Sequence, residues 1–161
     1  MNLLIIGAGG HGQVVRELAS STGKFEKIDF LDDNSDLAIG KLNEIKKYRV
    51  EYEAVFVAIG NPKLRQELME LVSSYEYQIP TIIHSNAYVS SSCSIGKGTV
   101  VMPGAIIQAN SKIGNGCIIS VGAIIDHDVS VGDYCHVNAG AIVPSMRTVP
   151  GETKIDYGKI F

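Results

Sequence analysis

The second half of the chain carries an Ile or Val residue at every sixth position. The series has thirteen members: Ile83, Val89, Ile95, Val101, Ile107, Ile113, Ile119, Ile125, Val131, Val137, Val143, Val149 and Ile155. A small or compact residue follows most of them four positions later. A period of six fits neither an α-helix nor one long strand, but it is typical of short strands joined by tight corners. The pattern therefore predicts a three-sided parallel β-helix with these branched side chains inside.

Residues 1–80 follow a different pattern, which predicts an α/β layer. The apolar run Leu3-Leu4-Ile5-Ile6 predicts a strand that is buried on both faces. It leads into Gly7-Ala8-Gly9-Gly10-His11-Gly12, and apolar residues at helical spacing follow. Strand, glycine-rich turn and helix form the context in which such a loop binds the phosphates of a nucleotide. A purely structural turn is the alternative interpretation, and His11 receives no chemical role.

Two further strands of this region end in polar residues. The strand Ile28-Asp29-Phe30-Leu31 ends in Asp32 and Asp33, where an acidic residue can accept a hydrogen bond from a ribose hydroxyl. The strand that begins at Ala54 ends in Gly60 and Asn61, and Asn61 is predicted to cap the helix that follows. About 80 residues amount to half of the two-part dinucleotide fold, so a nucleotide sugar fits better than NAD.

Composition and charge narrow the class of protein. The chain has 161 residues, 45% of them apolar, and a net charge of −3 without any basic run. Nucleic acid and anionic membranes are therefore not expected as partners. No segment approaches the roughly 20 apolar residues of a membrane span, and the start lacks the basic residues of a signal peptide. We expect a cytoplasmic protein with reduced structural thiols at Cys93, Cys117 and Cys135, which occupy the small inward slot of the repeat.

The repeat region contains two histidines outside the inward slots. His127 lies between Asp126 and Asp128, and His136 follows nine residues later. A histidine beside a carboxylate suits a general base, since its ordinary pKa is near 6.5. The alternative is that both histidines are solvated corner residues. No metal is expected, because a zinc site needs three protein ligands held together, and the third histidine of this region, His84, lies far earlier in the repeat than these two.

Four motifs together resemble one family. The glycine loop, Phe30-Leu31-Asp32-Asp33, Ala58-Ile59-Gly60-Asn61 and Asp126-His127-Asp128 are similar to the PglD/NeuD-type sugar acetyltransferases, which are hexapeptide-repeat acyltransferases. The resemblance implies an N-terminal half-Rossmann-like domain that binds a UDP-linked amino sugar. It also implies a left-handed parallel β-helix that forms a homotrimer and binds acetyl-CoA in the clefts between subunits.

The resemblance also implies roles for individual residues. His127 would be the general base, Asp128 would replace the family's acidic partner of that base, and His136 would contact the thioester, with Ser145 also on the coenzyme side. Ser120 stands where the family has a polar amide in its sugar pocket. The nucleotide-sugar site would be formed by Gly7, Ala8, Gly9, His11, Gly12, Asp32, Asp33, Gly60 and Asn61.

The repeat becomes irregular near its end. Arg147 falls in an inward slot, where an unpaired guanidinium would be costly to bury, and Pro144 and Pro150 each lack a backbone donor. We therefore predict two domains, 1–80 and 81–161, with regular coils to about Val143 and a short C-terminal tail.

The predicted function is acetyl transfer from acetyl-CoA to an amino group of a UDP-activated sugar, with His127 as general base. One alternative is a non-catalytic sugar-nucleotide-binding trimer that lacks a full coenzyme A site, because the repeat is expected to be short. Another is an acetyltransferase for a small amino acid or a free sugar, in which the N-terminal domain has a regulatory or packing role.

Overall fold

The structure is a computed structural model that describes residues 1–161, and it divides into two compact units, Met1–Pro80 and Thr81–Phe161. The elements of the first unit are β1 (Asn2–Ile6), α1 (Gly10–Ser21), β2 (Lys27–Leu31), β3 (Ala38–Gly40), a 3₁₀ helix (Leu42–Val50), β4 (Ala54–Val57) and α2 (Pro62–Ser74). Its four strands form a parallel sheet in the order β3-β2-β1-β4. This is the predicted half of a dinucleotide-binding fold.

The hydrophobic pattern explains which surfaces of this unit are buried. Strand β4 is buried along its whole length, and β1 is buried from Leu3 onwards, as expected for central strands of a parallel layer. Helix α1 buries Gly12, Val15, Leu18 and Ala19. Helix α2 begins with Asn61 as its N-cap, as predicted, and has Pro62 in its first turn.

The second unit is a left-handed parallel β-helix of thirteen two-residue strands. The first face consists of β5 (Ile82–Ile83), β8 (Val100–Val101), β11 (Ile118–Ile119), β14 (His136–Val137) and β17 (Lys154–Ile155). The second face consists of β6 (Tyr88–Val89), β9 (Ile106–Ile107), β12 (Ile124–Ile125) and β15 (Ile142–Val143). The third face consists of β7 (Ser94–Ile95), β10 (Lys112–Ile113), β13 (Ser130–Val131) and β16 (Thr148–Val149).

Each coil contributes one strand to each face. Ile118 pairs with His136, eighteen residues later, and the same register holds throughout. The branched residues of the repeat are buried inside from Val101 to Ile155. The small slot also holds buried hydroxyls, and these are paired. The hydroxyl of Thr99 donates to the Gly114 carbonyl and accepts from the Cys117 amide. This pairing removes the cost of burying a polar group.

The prediction that regular coils end near Val143 is wrong. Strands β16 and β17 pair in register with β13 and β14, and a further bridge joins Ile142 to Ile160. Arg147 is exposed rather than buried, since β16 is the last strand of its sheet and its side chain can leave through the uncovered end. Arg147 therefore does not interrupt the strand ladder.

Candidate functional site

The glycine loop joins β1 to α1 in a conformation that needs its glycines. Gly7 has a φ of +98°, which residues with side chains rarely adopt. A Cβ at Gly12 would collide with the carbonyl oxygen of Gly7, so this glycine lets the helix approach the strand. A Cβ at Gly9 would meet no atom within 4 Å, so the loop surface is open there. His11 lies on the first turn of α1 and is half-buried.

Asp32 and Asp33 are tied to the backbone around them. Asp32 accepts hydrogen bonds from the amides of Ala8 and Asn34, each at 2.8 Å, and these bonds, Ala8 first, lower the pKa of its carboxyl group. Asp33 accepts from the Leu42 amide at 3.0 Å. The Ala8 amide is thus directed at Asp32, and the carboxylate braces the glycine loop. Each carboxylate oxygen has a second lone pair for a further donor.

A cavity of about 760 Å³ lies at the carboxyl end of β2. Its walls include Asp32 and Asp33 but none of the glycine-loop residues and neither Gly60 nor Asn61. The structure therefore places the two acidic residues in a cavity and brings Ala8 to Asp32, while the other predicted residues lie outside the cavity lining. The lining residues are Asp32, Asp33, Asn34, Ser35, Asp36, Ala38, Ile39, Gly40, Lys41, Asn43 and Glu44.

The loop between β4 and α2 is held by an arginine that the sequence pattern did not single out. Arg65 is only 1% exposed, and its Nη1 atom donates to the carbonyl oxygens of Ile59 at 2.7 Å and Gly60 at 3.0 Å. Asn61 accepts from the Leu64 amide at 3.0 Å, which caps α2. Gly60 and Asn61 are therefore fixed by a buried guanidinium and a helix cap.

In the second unit, His127 and Asp128 form a hydrogen-bonded pair. Both follow β12, at the corner between the second and third faces, and about half of each side chain is exposed. The Nδ1 atom of His127 lies 2.8 Å from Oδ2 of Asp128. An ionised carboxylate can only accept, so Nδ1 carries the hydrogen and Nε2 presents a lone pair. The corner thus holds an oriented imidazole that can take up a proton.

Neighbouring groups shift the pKa values of this pair in opposite directions. The hydrogen bond to Asp128 raises the pKa of His127, and the charges of Asp126 and Asp128 add to this effect. The hydrogen bond from His127, followed by one from Asn110, lowers the pKa of Asp128. Asp126 also accepts a hydrogen bond from the His127 amide at 2.8 Å. The carboxylate therefore stabilises the imidazolium that proton uptake would form.

His136 lies elsewhere on the prism. It is half-buried on β14 of the first face, and its Nε2 atom lies 3.0 Å from Oγ of Ser120. A corner between the second and third faces stands opposite the first face, so one chain does not bring His127 and His136 together. Ser145 lies one coil after His127 at the same corner and is half-buried.

The structure contains no group of three or more His, Cys, Asp or Glu side chains that could hold a metal ion. No helix of the chain has the length and apolar character that crossing a membrane requires.

Comparison with known sequences gives matches to both units. Residues 2–72 match the family described as PglD N-terminal domain, and residues 92–126 match the bacterial transferase hexapeptide family. UDP-N-acetylbacillosamine N-acetyltransferase from Bacillus subtilis is 37% identical over 112 residues, which are 63% of this chain and 51% of that protein. The chain thus spans about half the length of this curated relative.

Solved structures resemble nearly the whole chain. The acetyltransferase domain of PglB from Neisseria gonorrhoeae, in complex with acetyl coenzyme A, has a TM-score of 0.93 at 35% identity and covers 99% of this chain and 80% of its own. A mutant perosamine N-acetyltransferase from Caulobacter crescentus, in complex with CoA and GDP-perosamine, has a TM-score of 0.90 at 28% identity. That match covers 100% of this chain and 88% of the other.

Proposed function

The chain belongs to the PglD/NeuD-type family of hexapeptide-repeat sugar acetyltransferases, and from this we propose that it transfers acetyl from acetyl-CoA to an amino group of a nucleotide-activated sugar. The observation that carries the proposal is the His127–Asp128 pair, an oriented base at an exposed corner. His127 acts as general base and Asp128 orients it. The named activities of the relatives agree with this proposal.

In the proposed reaction, the amine of the sugar attacks the thioester carbonyl of acetyl-CoA. Nε2 of His127 removes a proton from the nitrogen as the new C–N bond forms. The C–S bond then breaks, and the proton passes from His127 to the departing sulfur, so the products are the acetamido sugar and free coenzyme A. A protein nucleophile is not required, because the thioester is already activated.

We propose a UDP sugar as acceptor, bound by the first unit. The cavity at the end of β2 has room for a nucleotide, and its acidic residues can accept hydrogen bonds from ribose or base. The curated relative is named for a UDP sugar, whereas the Caulobacter enzyme was solved with GDP-perosamine. The activity assay therefore compares UDP-linked with GDP-linked amino sugars. The proposed binding residues are Gly7, Ala8, Gly9, His11, Gly12, Asp32, Asp33, Gly60 and Asn61.

We also propose a homotrimer, because a single chain separates the two histidines. If the corner that carries His127 met the first face of a neighbouring copy, His127 would stand beside that neighbour's His136. A threefold ring would form three such sites. The outward residues of the second face support an interface, since Ile106, Ile124 and Ile142 are apolar and only half-buried. In contrast, the outward residues of the third face are polar and exposed: Ser94, Lys112, Ser130 and Thr148.

The coenzyme would lie in the same clefts, with His136 and Ser145 as its contacts. Ser145 shares a corner with His127, which suits a cosubstrate that spans two subunits. The coils that continue to Ile155 lengthen the surface available to the pantetheine arm.

A direct assay tests the proposed activity. Purified protein is given acetyl-CoA with UDP- or GDP-linked amino sugars, and release of the coenzyme thiol is measured. We expect turnover with at least one acceptor, and His127→Ala should lower it by about 100- to 10,000-fold, the usual contribution of a general base. His84→Ala is the control, because His84 accepts a bond from the Asn86 amide and lies outside the corner. Unchanged turnover in His127→Ala would refute the mechanism.

The alternative of a non-catalytic sugar-nucleotide-binding trimer rested on a repeat that ends near Val143. Since the strands continue to Ile155, that argument no longer supports it. Calorimetric titration separates the two functions. The enzyme binds both a nucleotide sugar and acetyl-CoA, whereas the non-catalytic protein binds only the nucleotide sugar.

A further inference from the structure

A row of polar side chains runs along the corner that carries His127. Asn110 and Asp128 occupy equivalent positions in successive coils, and Nδ2 of Asn110 lies 3.2 Å from Oδ1 of Asp128. One coil earlier, the hydroxyl of Ser92 accepts from the backbone N–H of Asn110 at 3.0 Å. Both oxygens of Asp128 are therefore used, one by His127 and the other by Asn110.

The backbone at this corner differs from that at the corner between the first and second faces. There, the left-handed positions are all glycines: Gly104, Gly122, Gly140 and Gly158. Between the second and third faces, Asn110 has a φ of +62°, Asp128 of +55° and Met146 of +60°. A residue with a Cβ is less stable in this conformation than glycine, although Asn and Asp tolerate it best. Asn110 and Asp128 thus adopt a backbone conformation in which glycine would be less strained.

We propose that Asn110 is a positioning residue, which holds the Asp128 carboxylate so that Oδ2 faces Nδ1 of His127. The expected effect of Asn110 on turnover rests on the proposed function, whereas its hydrogen bond to Asp128 does not depend on it. Asn110 touches neither of the reacting groups and acts through Asp128 alone.

Asp128 needs a partner that holds its carboxylate in place, because its side chain is exposed to water. The side chain of Asp128 is 49% exposed, so water competes for its oxygens and its carboxylate could rotate away from the imidazole. A donor fixed to the preceding coil limits that rotation and favours the ionised form. Asp126 is the other carboxyl group that acts on His127, and its bond to the His127 amide does not depend on Asn110.

The test uses Asn110→Gly, which removes the amide but suits the left-handed backbone. The pKa of His127 is measured by NMR titration of the full-length protein without substrates, and its signal is assigned with His127→Ala. We expect the pKa in Asn110→Gly to fall toward the ordinary 6.5 of histidine. Turnover should fall about 5- to 10-fold, a fraction of what a general base supplies. The control is Glu152→Gly, where φ is +61° at another corner, and it should change neither value.

A second variant, Asn110→Asp, keeps the shape of the side chain but replaces the donor with a group that repels the Asp128 carboxylate. Aspartate has the size of asparagine and tolerates the same backbone, but its carboxylate cannot donate to Asp128. Turnover should fall at least as far as in Asn110→Gly. Wild-type turnover in Asn110→Asp, or an unchanged His127 pKa in Asn110→Gly, would overturn the positioning role. If the wild-type protein has no transferase activity, the proposed function fails while the pKa measurement still decides the role of Asn110.

Discussion

Nδ1 of His127 lies 2.8 Å from Oδ2 of Asp128, and this contact determines which nitrogen of the ring can act as a base. Because Nδ1 donates to the carboxylate, Nε2 is left as the acceptor.

The pH dependence of turnover should report the His127–Asp128 bond. The bond raises the pKa of His127, and a base must be neutral, so kcat/KM should rise with pH to a plateau with its midpoint above 6.5. Asp128→Asn removes the largest cause of the raised pKa, so the midpoint should move to lower pH while the plateau rate falls. Asp126→Asn removes a weaker, purely coulombic contribution to the His127 pKa and should move the midpoint less. A midpoint that is the same in all three proteins would contradict the pairing.

Complementation between two inactive variants should show whether the site is shared between chains. His127→Ala and His136→Ala are each expected to lose activity, and they are then unfolded and refolded together. In every mixed trimer, one of the three sites combines an intact His127 with a neighbour's intact His136. Random assembly makes about three quarters of the trimers mixed, so about a quarter of wild-type turnover should return. If the mixture stays inactive although mixed trimers form, the shared site is wrong.

The trimer should depend on the apolar second face. Ile124→Glu places a charge among the half-buried isoleucines, and burying it in an interface would cost several kcal/mol, roughly the penalty for an unpaired ion. Size-exclusion chromatography with light scattering should show monomers. Ser130→Glu, on the exposed third face, serves as the matched control and should remain trimeric. Trimers in both variants would exclude the second face as the interface.

The glycine loop offers a matched pair of substitutions for stability. Gly12→Ala places a methyl group against the Gly7 carbonyl, and such overpacking should destabilise the N-terminal unit by about 1–3 kcal/mol. Gly9→Ala meets no atom within 4 Å and should leave the melting temperature nearly unchanged. If Gly9→Ala nevertheless weakens nucleotide-sugar binding in calorimetry, the open surface at Gly9 contacts the ligand. Equal melting temperatures for both variants would contradict the close contact of α1 with the loop.

Much of the fold could be predicted because periodic burial leaves a periodic sequence. The six-residue spacing of Ile and Val identified the interior of the β-helix, and the glycine loop with its flanking strand and helix identified the α/β unit. The end of the repeat could not be predicted in this way. The pattern assigns Arg147 to the interior, but a strand at the end of a sheet has no coil above it, so an inward position there can open to solvent.

The candidate site was only partly accessible from the sequence. A histidine between two aspartates indicates a base, but the partner chosen by Nδ1 depends on side-chain rotation at the corner. Asn110 lies one coil before Asp128, a spacing that the repeat predicts. The sequence does not show, however, that the Asn110 side chain donates to Asp128 rather than to water. Arg65 was missed because an arginine near a helix start is usually exposed, whereas here two loop carbonyls draw it into the interior.

The eighteen-residue register has a consequence for how such a chain can change in length. Ile118 pairs with His136 one turn later, so inserting or deleting a complete turn would leave every downstream side chain pointing in its original direction. A change of one hexad before His127 would instead turn the imidazole toward a different side of the column, although every new residue would still fit the repeat. Length variants that gain or lose whole turns should therefore keep the direction of the imidazole, whereas those that differ by one or two hexads should fold normally and fail to react.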